Sequence, residues 1–298
     1  MASPLEYYYY LMETKGDPRT NEWFLMSSPG PLLTIIATYL YFCVWAGPNF
    51  MKDRKPFEMK GIIKLYNLVQ VILSVLLVYE GLQGGWGHNY SFACQPIDFS
   101  EDPRAKRMAG AVYFYFICKL TELLDTVFFV LRKKMNQVSF LHLYHHSLMP
   151  VCAWVGAKFL PGGHGTLLGL INSFIHIIMY SYYLVASLGP QYQKYLWWKK
   201  YLTAMQMVQF CIIAVHNFQV LFRQCDYPKF IAFLLGMQAI FFFYLFGSFY
   251  YRTYVKPTHA PPPKEIVNAA TTRKNSDGDG SAVTIANGTG KAKKTKAN

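Results

Sequence analysis

Apolar residues in this chain are gathered into long, nearly continuous runs, and they do not repeat with the period of an amphipathic helix or strand. Runs of about 20 residues have the length that an α-helix needs to cross the ~30 Å hydrocarbon layer of a membrane. Because the loops between the runs are short, neighbouring helices are expected to pack antiparallel in one bundle. The pattern predicts an all-α integral membrane protein with seven transmembrane helices, at about 31–49, 62–82, 110–131, 140–158, 166–187, 200–221 and 230–251.

Composition divides the chain into three parts. Residues 1–28 lack the basic start and apolar centre of a cleavable signal peptide, so the first span is predicted to serve as the insertion signal. Residues 29–253 form the predicted seven-helix domain. Residues 254–298 are rich in Pro, Gly, Ser, Thr and Lys, which predicts a disordered tail. Lys294 and Lys296 have the spacing of a dilysine-type retrieval signal of the endoplasmic reticulum, although a plain solubilising tail explains them equally well.

A net charge of +13 could suggest a nucleic-acid partner in a soluble protein, but the positions of the positive residues give it another meaning here. Positive residues cluster in alternate loops beside the predicted spans, where they report orientation and do not indicate a nucleic-acid partner. The positive-inside rule therefore places the C-terminal tail in the cytosol and the N-terminus in a lumen. The cytosolic set outside the tail comprises Lys52, Arg54, Lys55, Lys60, Arg132, Lys133, Lys134, Lys194, Lys199 and Lys200.

Of the six cysteines, only Cys94 and Cys225 fall in predicted loops. Both loops lie on the lumenal side of the predicted topology, where an oxidising environment permits a disulfide. The alternative is a pair of free thiols. Asn89 begins a glycosylation sequon on the same side but lies close to the end of a span, whereas the sequon at Asn287 is predicted to be cytosolic and unused.

Ionisable residues are concentrated in the third predicted span. Lys119, Glu122 and Asp125 recur at three-residue steps in "KLTELLDTVFF", and Thr126 directly follows Asp125. Their side chains are therefore expected to share one stripe of the helix. Charged groups inside a membrane are costly and usually functional. The alternative is an ion network that only holds helices together.

Three further spans carry polar stripes. In "FLHLYHHSLMP", His142 lies three and four residues before His145 and His146, which places it beside both on one helical face. The four stripes together predict one interior cavity that holds imidazoles, amides, phenols and carboxylates. The fifth and sixth spans contribute Asn172, His176, Tyr180, Tyr183, Gln206 and Gln209.

Two other classes of protein remain open at this point. Paired histidines on a helix can bind zinc or iron, but of the eight histidines only His142, His145, His146 and His176 are expected to lie close together, with His216 as a further candidate. A di-iron desaturase or hydroxylase is therefore short of ligands, while a single zinc site stays open. A transporter or seven-helix receptor is the second class, although neither inverted repeats nor interrupted helices are evident.

The segments "KLTELLDT", "HLYHH", "HIIMYSYY" and "TAMQMVQF" resemble, in order and separation, the signature boxes of the very-long-chain fatty acid elongases, the ELO family. The resemblance implies a 3-oxoacyl-CoA synthase of the endoplasmic reticulum membrane, which joins acyl-CoA to malonyl-CoA with loss of carbon dioxide. It also implies six helices around a closed acyl tunnel whose mouth faces the cytosol, with no metal or other cofactor. Partners would be membrane lipid, further copies of the chain and the other enzymes of the elongation cycle.

The same resemblance assigns roles to residues of this chain. His145 would attack the acyl thioester to give an acyl-imidazole, His142 and His146 would set its tautomer and position, and His176 would act as a second acid or base. A one-step reaction, with a histidine only as general base, is the alternative. Gln137 favours polyunsaturated or very long substrates. Supporting residues are Lys119, Glu122, Asp125, Asn172, Tyr180, Tyr183, Gln206 and Gln209, and the CoA phosphates would meet Arg132, Lys133, Lys134, Lys199, Lys200 and Arg252.

Overall fold

The structure is a computed structural model that describes residues 3–256, and within that range it consists of helices and loops without a β-strand. A short helix α1 (Pro4–Tyr10) opens it, with a capping box between Ser3 and Glu6 that satisfies the first free N–H groups. The remaining α-helices are α2 (Gly30–Tyr41), α3 (Gly47–Met51), α4 (Lys60–Gly81), α5 (Pro103–Thr121), α6 (Leu123–Leu131), α7 (Phe140–Phe159), α8 (Thr166–Ser187), α9 (Lys199–Gln219) and α10 (Lys229–Tyr250).

Within residues 3–256, five helical stretches are long and apolar enough to cross a membrane. They are α2 with α3, α4 with its following turn, α8, α9 and α10, bounded by Gly30–Met51, Lys60–Trp86, Thr166–Ser187, Lys199–Phe222 and Lys229–Val255. The third and fourth predicted spans correspond in position to α5 with α6 and to α7. The third predicted span is divided between α5 and α6 and carries three charged side chains, and α7 carries three histidines, so neither combines the unbroken length and apolar composition of the other five. The count of seven spans therefore stays a prediction.

Burial along α4 is inverted relative to a water-soluble helix. Asn67, Gln70 and Ser74 are buried against the bundle, while Leu65 and Ile72 are exposed on the outer face. Contiguous exposed apolar faces of this kind are rare on soluble monomers and are typical of a surface in contact with lipid. Together with the five candidate spans, this pattern indicates a multi-pass membrane protein.

Helix packing only partly follows chain order. The most extensive contacts join α4 to α8, α9 to α10 and α5 to α7. The expectation that chain neighbours pack together holds for α9 and α10, but α7 and α8 have no extensive contact although a short loop connects them. An apolar cavity lies between α7 and α8, and residues of both helices line it.

The loops that precede α5 and α10 meet the one that precedes α8. A disulfide joins Cys94 to Cys225, which is the pairing that the sequence predicts. The His164 N–H donates to the Gln95 carbonyl (2.8 Å), and Gln219 Nε2 donates to a carbonyl of the same loop (2.6 Å). The disulfide and these hydrogen bonds connect the ends of α5, α8, α9 and α10. The other four cysteines, Cys43, Cys118, Cys152 and Cys211, are free thiols.

The segment before α2 packs against α7. The Asp17 N–H donates to the Lys158 carbonyl, and the Trp154 indole N–H donates to the Leu25 carbonyl, both at 2.8 Å. The Arg19 guanidinium pairs with Asp17 and also donates to two carbonyls of the loop before α5. The predicted N-terminal segment is thus fixed to the helical domain. By contrast, Lys294, Lys296, Asn287, His259 and the predicted tail beyond its first three residues lie outside the described range.

Candidate active site

The polar stripe of the third predicted span is divided by a break in its helix. Glu122 forms a turn between α5 and α6. Side chains of α4 bind the polar groups beside this turn: Gln70 Nε2 donates to Thr121 Oγ1 (3.0 Å), and the Tyr66 hydroxyl donates to the Thr121 carbonyl (3.4 Å). On either side of this turn, Glu122 and Asp125 contact different partners on α8, His176 and Tyr180.

The first part of the stripe is a buried ion network. The Lys119 ammonium donates to both Glu122 oxygens (2.7 and 3.0 Å) and to Asn172 Oδ1 (2.8 Å). His176 Nδ1 lies 3.1 Å from Glu122 Oε1, and because a carboxylate only accepts, Nδ1 carries a proton; in the neutral imidazole Nε2 then keeps a free lone pair. The Tyr115 hydroxyl donates to the same Asn172 oxygen (2.9 Å), so the amide NH₂ of Asn172 is the end left for another partner.

The second part of the stripe is a carboxylate–phenol pair. The Tyr180 hydroxyl donates to Asp125 Oδ2 (2.7 Å), and the Tyr66 ring packs edge-on against Tyr180 at 6.1 Å. Tyr183 contacts the Tyr180 ring at 6.0 Å but is 38% exposed. The structure therefore brings Asp125 and Tyr180 together and leaves Tyr183 at their edge.

The three histidines of α7 form a row of rings. Ser139 caps α7, with its Oγ accepting from the His142 N–H (3.2 Å). The His142 and His146 ring centres are 4.1 Å apart, and those of His146 and His145 are 5.3 Å apart. Pro150 lies inside the same helix, where its missing N–H removes the usual bond to the His146 carbonyl.

His145 faces the apolar cavity, which has a volume of about 290 Å³. The lining comes from α4, α5, α7, α8, α9, α10 and the loops before α8 and α10. Along α7 and the residue that follows it, the lining extends from His145 to Leu160, a distance of about 22 Å at 1.5 Å per residue. Most lining residues are apolar, and the polar ones include Asn172, Ser173, Gln209 and Gln238.

The predicted site residues thus fall into three groups. His145, Asn172 and Gln209 line the cavity, and Gln209 Oε1 is buried without a partner among the described residues. Gln206 lies away from the lining, and its amide contacts Met179 Sδ at 3.7 Å. The other residues outside the lining form two sets, within each of which bonds or ring contacts join the side chains: Lys119, Glu122, Asp125, His176 and Tyr180, and His142 with His146.

A hydroxyl chain reaches the histidine row from the first predicted span. The oxygens of Tyr39 and Thr126 are 2.7 Å apart, and Thr126 Oγ1 is 2.8 Å from His142 Nε2. The sequence marks Thr126 as part of the polar stripe. No sequence signal singles out Tyr39, because a tyrosine in an apolar run is ordinary.

His216 does not join the histidine row, although the sequence offered it as a candidate. It stacks on His164 instead, with ring centres 3.6 Å apart and planes 7° from parallel, and each Nε2 meets the other residue's backbone carbonyl (2.7 and 3.1 Å). Across residues 3–256, no group of three or more His, Cys, Asp or Glu side chains has an arrangement that could hold a metal ion.

The basic residues predicted to meet CoA lie at helix ends. Arg132 follows α6, Lys199 and Lys200 begin α9, and Arg252 follows α10. The Lys133 ammonium donates to the Lys52 carbonyl (3.0 Å), which ties the end of α6 to the residue that follows α3. Contact of these residues, and of Lys134, with CoA stays a prediction.

The fold and the site together define a helical, multi-pass membrane protein with a histidine cluster at an apolar cavity. Residues 24–262 match the sequence model of the ELO (GNS1/SUR4) family, and the chain belongs to this family. This confirms the resemblance drawn from the four sequence boxes.

Several curated relatives align with most of the chain. A very long chain fatty acid elongase of Aedes aegypti is 52% identical over 248 residues, which cover 83% of this chain and 69% of the relative. Very long chain fatty acid elongase 7 of Drosophila melanogaster is 50% identical over 247 residues, or 83% and 75% of the two chains. Very long chain fatty acid elongase 7 of Rattus norvegicus is 46% identical over 256 residues, or 85% and 91%.

Proposed function

We propose that this protein is the condensing enzyme of fatty acid elongation, a 3-oxoacyl-CoA synthase. It joins a long-chain acyl-CoA to malonyl-CoA, releases carbon dioxide and CoA, and leaves the acyl chain two carbons longer. The assignment to fatty acid elongation is supported by the family and by the names of the relatives. The single observation that carries the reaction is the position of His145, a nucleophile-type imidazole at the wall of an otherwise apolar cavity.

The cavity is the proposed acyl tunnel, closed at its far end. Its lining on α7 extends about 22 Å from His145. One leaflet of a bilayer is about 15 Å deep, half of the ~30 Å hydrocarbon layer, and ordinary membrane acyl chains fill that depth. The lining is therefore long enough to hold a long-chain acyl group in an extended conformation.

The proposed reaction has two steps. His145 attacks the thioester carbonyl, a C–N bond forms to give an acyl-imidazole, and the CoA thiolate leaves. Malonyl-CoA then loses carbon dioxide, its enolate carbon attacks the acyl carbon, and the C–N bond breaks as the C–C bond forms. The imidazole is regenerated, and each step has a lower barrier than a single three-body reaction.

Neighbouring groups have distinct parts in this proposal. His176 receives or donates a proton at Nε2, because Glu122 holds its Nδ1–H. Asn172 offers its NH₂ to the oxyanion of the tetrahedral intermediate, because Lys119 and Tyr115 already occupy its oxygen. These groups are fixed before substrate enters, so little reorganisation is required in the transition state.

The remaining architecture is part of the same proposal. α5 with α6 and α7 supply the third and fourth of seven spans, and residues 29–253 form the catalytic domain. The helix ends that carry Arg132, Lys199, Lys200 and Arg252 face the cytosol and bind CoA phosphates, while the Cys94–Cys225 disulfide lies in the lumen of the endoplasmic reticulum. No cofactor beyond the two CoA substrates is required.

The test uses purified protein in detergent, a saturated long-chain acyl-CoA and malonyl-CoA labelled at C2. We expect a labelled 3-oxoacyl-CoA from the wild type, loss of product in His145→Ala, and unchanged product in His88→Ala, whose imidazole lies in the exposed loop after α4. Absence of product from the folded wild type with any acyl-CoA from C16 to C26 would contradict the proposal.

A further inference from the structure

Tyr39 belongs to α2, a helix whose residues are absent from the lining of the cavity within the described part of the chain. Its phenol is nevertheless buried and 2.7 Å from Thr126 Oγ1, which is 2.8 Å from His142 Nε2. Three groups from α2, α6 and α7 therefore form one continuous hydrogen-bond chain, here called the hydroxyl relay. It ends on a ring that is 4.1 Å from His146.

The direction of the protons in the hydroxyl relay follows from the supply of donors and acceptors. Thr126 has one hydroxyl proton between two neighbours. If His142 Nε2–H donated to Thr126 and Thr126 donated to Tyr39, the phenol proton would be buried without an acceptor among the hydrogen bonds of residues 3–256. If Tyr39 donates to Thr126 and Thr126 donates to His142, each hydroxyl proton is used. A phenol is also the better donor and imidazole nitrogen the better acceptor, so the second arrangement is favoured.

We propose that Tyr39 is a positioning residue that acts through Thr126 to hold His142 as the neutral Nδ1–H tautomer in one orientation. The inference rests on the proposed function, because it gives the first span a part in condensation without contact to substrate. A fixed His142 ring fixes the His146 ring beside it, and His146 in turn borders the nucleophile His145. Rotation of the His142 ring would remove Nε2 from Thr126 and disturb the row.

The consequence for catalysis is a change in turnover and not in binding. Because the relay lies behind the cavity wall, its loss leaves the acyl-binding surface intact. We expect Tyr39→Phe, which keeps the ring and removes only the hydroxyl, to lower kcat by about fivefold, the scale of one ordinary hydrogen bond, with KM for acyl-CoA unchanged.

A tautomer measurement tests the relay without any reaction. The full chain is labelled with ¹⁵N-histidine in detergent, and His142 is assigned by its absence in His142→Gln. We expect the wild-type Nε2 to resonate as an unprotonated nitrogen that accepts a hydrogen bond, and Tyr39→Phe to give a mixture of tautomers. A protonated Nε2 in the wild type, or a spectrum unaffected by Tyr39→Phe, would overturn the proposal whether or not the protein condenses acyl-CoA.

A mutant cycle then links the hydroxyl relay to turnover. Thr126→Val should lower kcat at least as much as Tyr39→Phe, the double variant should be no worse than Thr126→Val alone, and Thr126→Ser should retain most of the activity. Tyr41→Phe is the matched control, because Tyr41 is on the same segment and 58% exposed. Additive losses, or a loss in Tyr41→Phe equal to that in Tyr39→Phe, would refute the relay. A wild type that carries the expected tautomer but makes no product would refute the proposed function instead.

Discussion

Removal of one partner from the buried ion network should be far more damaging than removal of both. In Lys119→Met the Glu122 carboxylate keeps only the His176 contact and loses two bonds to an ammonium. The Lys119 and Glu122 side chains are only 2% and 5% exposed, so water cannot replace the lost bonds. An uncompensated buried charge of this kind costs about 3–5 kcal/mol of unfolding free energy.

The double variant Lys119→Met/Glu122→Gln removes the charge but keeps an oxygen that can accept from His176. Neutral replacement of a buried pair is often nearly neutral in stability, so the double variant should be more stable than Lys119→Met alone. The control is Lys106→Met, which breaks the salt bridge to Glu101 between side chains that are 53% and 73% exposed. An exposed pair contributes about 0–1 kcal/mol, so this variant should unfold like the wild type.

Thermal unfolding in detergent, followed by the fraction of protein that remains monodisperse on size-exclusion chromatography, measures the difference. At about 2–4 °C per kcal/mol, Lys119→Met should melt roughly 6–20 °C below the wild type, with most of the loss restored in the double variant. A double variant as unstable as the single one would refute the reasoning, because the damage would then come from lost packing and not from an unpaired carboxylate.

Three other outcomes are expected. Reducing agent should lower the melting temperature of the wild type but not that of Cys94→Ser/Cys225→Ser. The disulfide closes a loop of 131 residues and stabilises the fold by up to about 5 kcal/mol through chain entropy. Equal shifts in the two proteins would contradict this. Ala153→Phe should shorten the longest product in a chain-length assay, since Ala153 lines the cavity about 12 Å beyond His145, whereas Val208→Phe on the exposed face should not. A metal chelator should leave the condensation rate unchanged, and loss of activity restored by a metal ion would refute a cofactor-free site.

Local periodicity in the sequence predicted those parts of the site that depend on one helix. The three-residue step from Lys119 to Glu122 and the four-residue step from His142 to His146 place the side chains of each pair together whatever the rest of the fold does. The length of the apolar runs likewise predicted most helices to within a few residues.

Features that depend on contacts between helices could not be read in this way. Asp125 binds Tyr180 and Lys119 binds Asn172 because α5 and α6 pack beside α8, and no pattern within one helix encodes that contact. The sequence alone does not distinguish Tyr39 and Tyr66 from other tyrosines, because their contacts with Thr126 of α6 and Tyr180 of α8 form only when the helices pack. His216 has the spacing of a site residue, yet the loop before α8 supplies its stacking partner.

Incubation with one substrate alone measures whether His145 becomes covalently acylated. The purified protein is mixed with a long-chain acyl-CoA without malonyl-CoA, quenched in acid and measured by intact-protein mass spectrometry, with peptide mapping of the adduct. We expect a mass increase of one acyl group on the peptide that contains His145, absent in His145→Ala and discharged when malonyl-CoA is added before the quench. An enzyme that condenses both substrates but never carries an acyl group, or carries it on another residue, would refute the acyl-histidine intermediate.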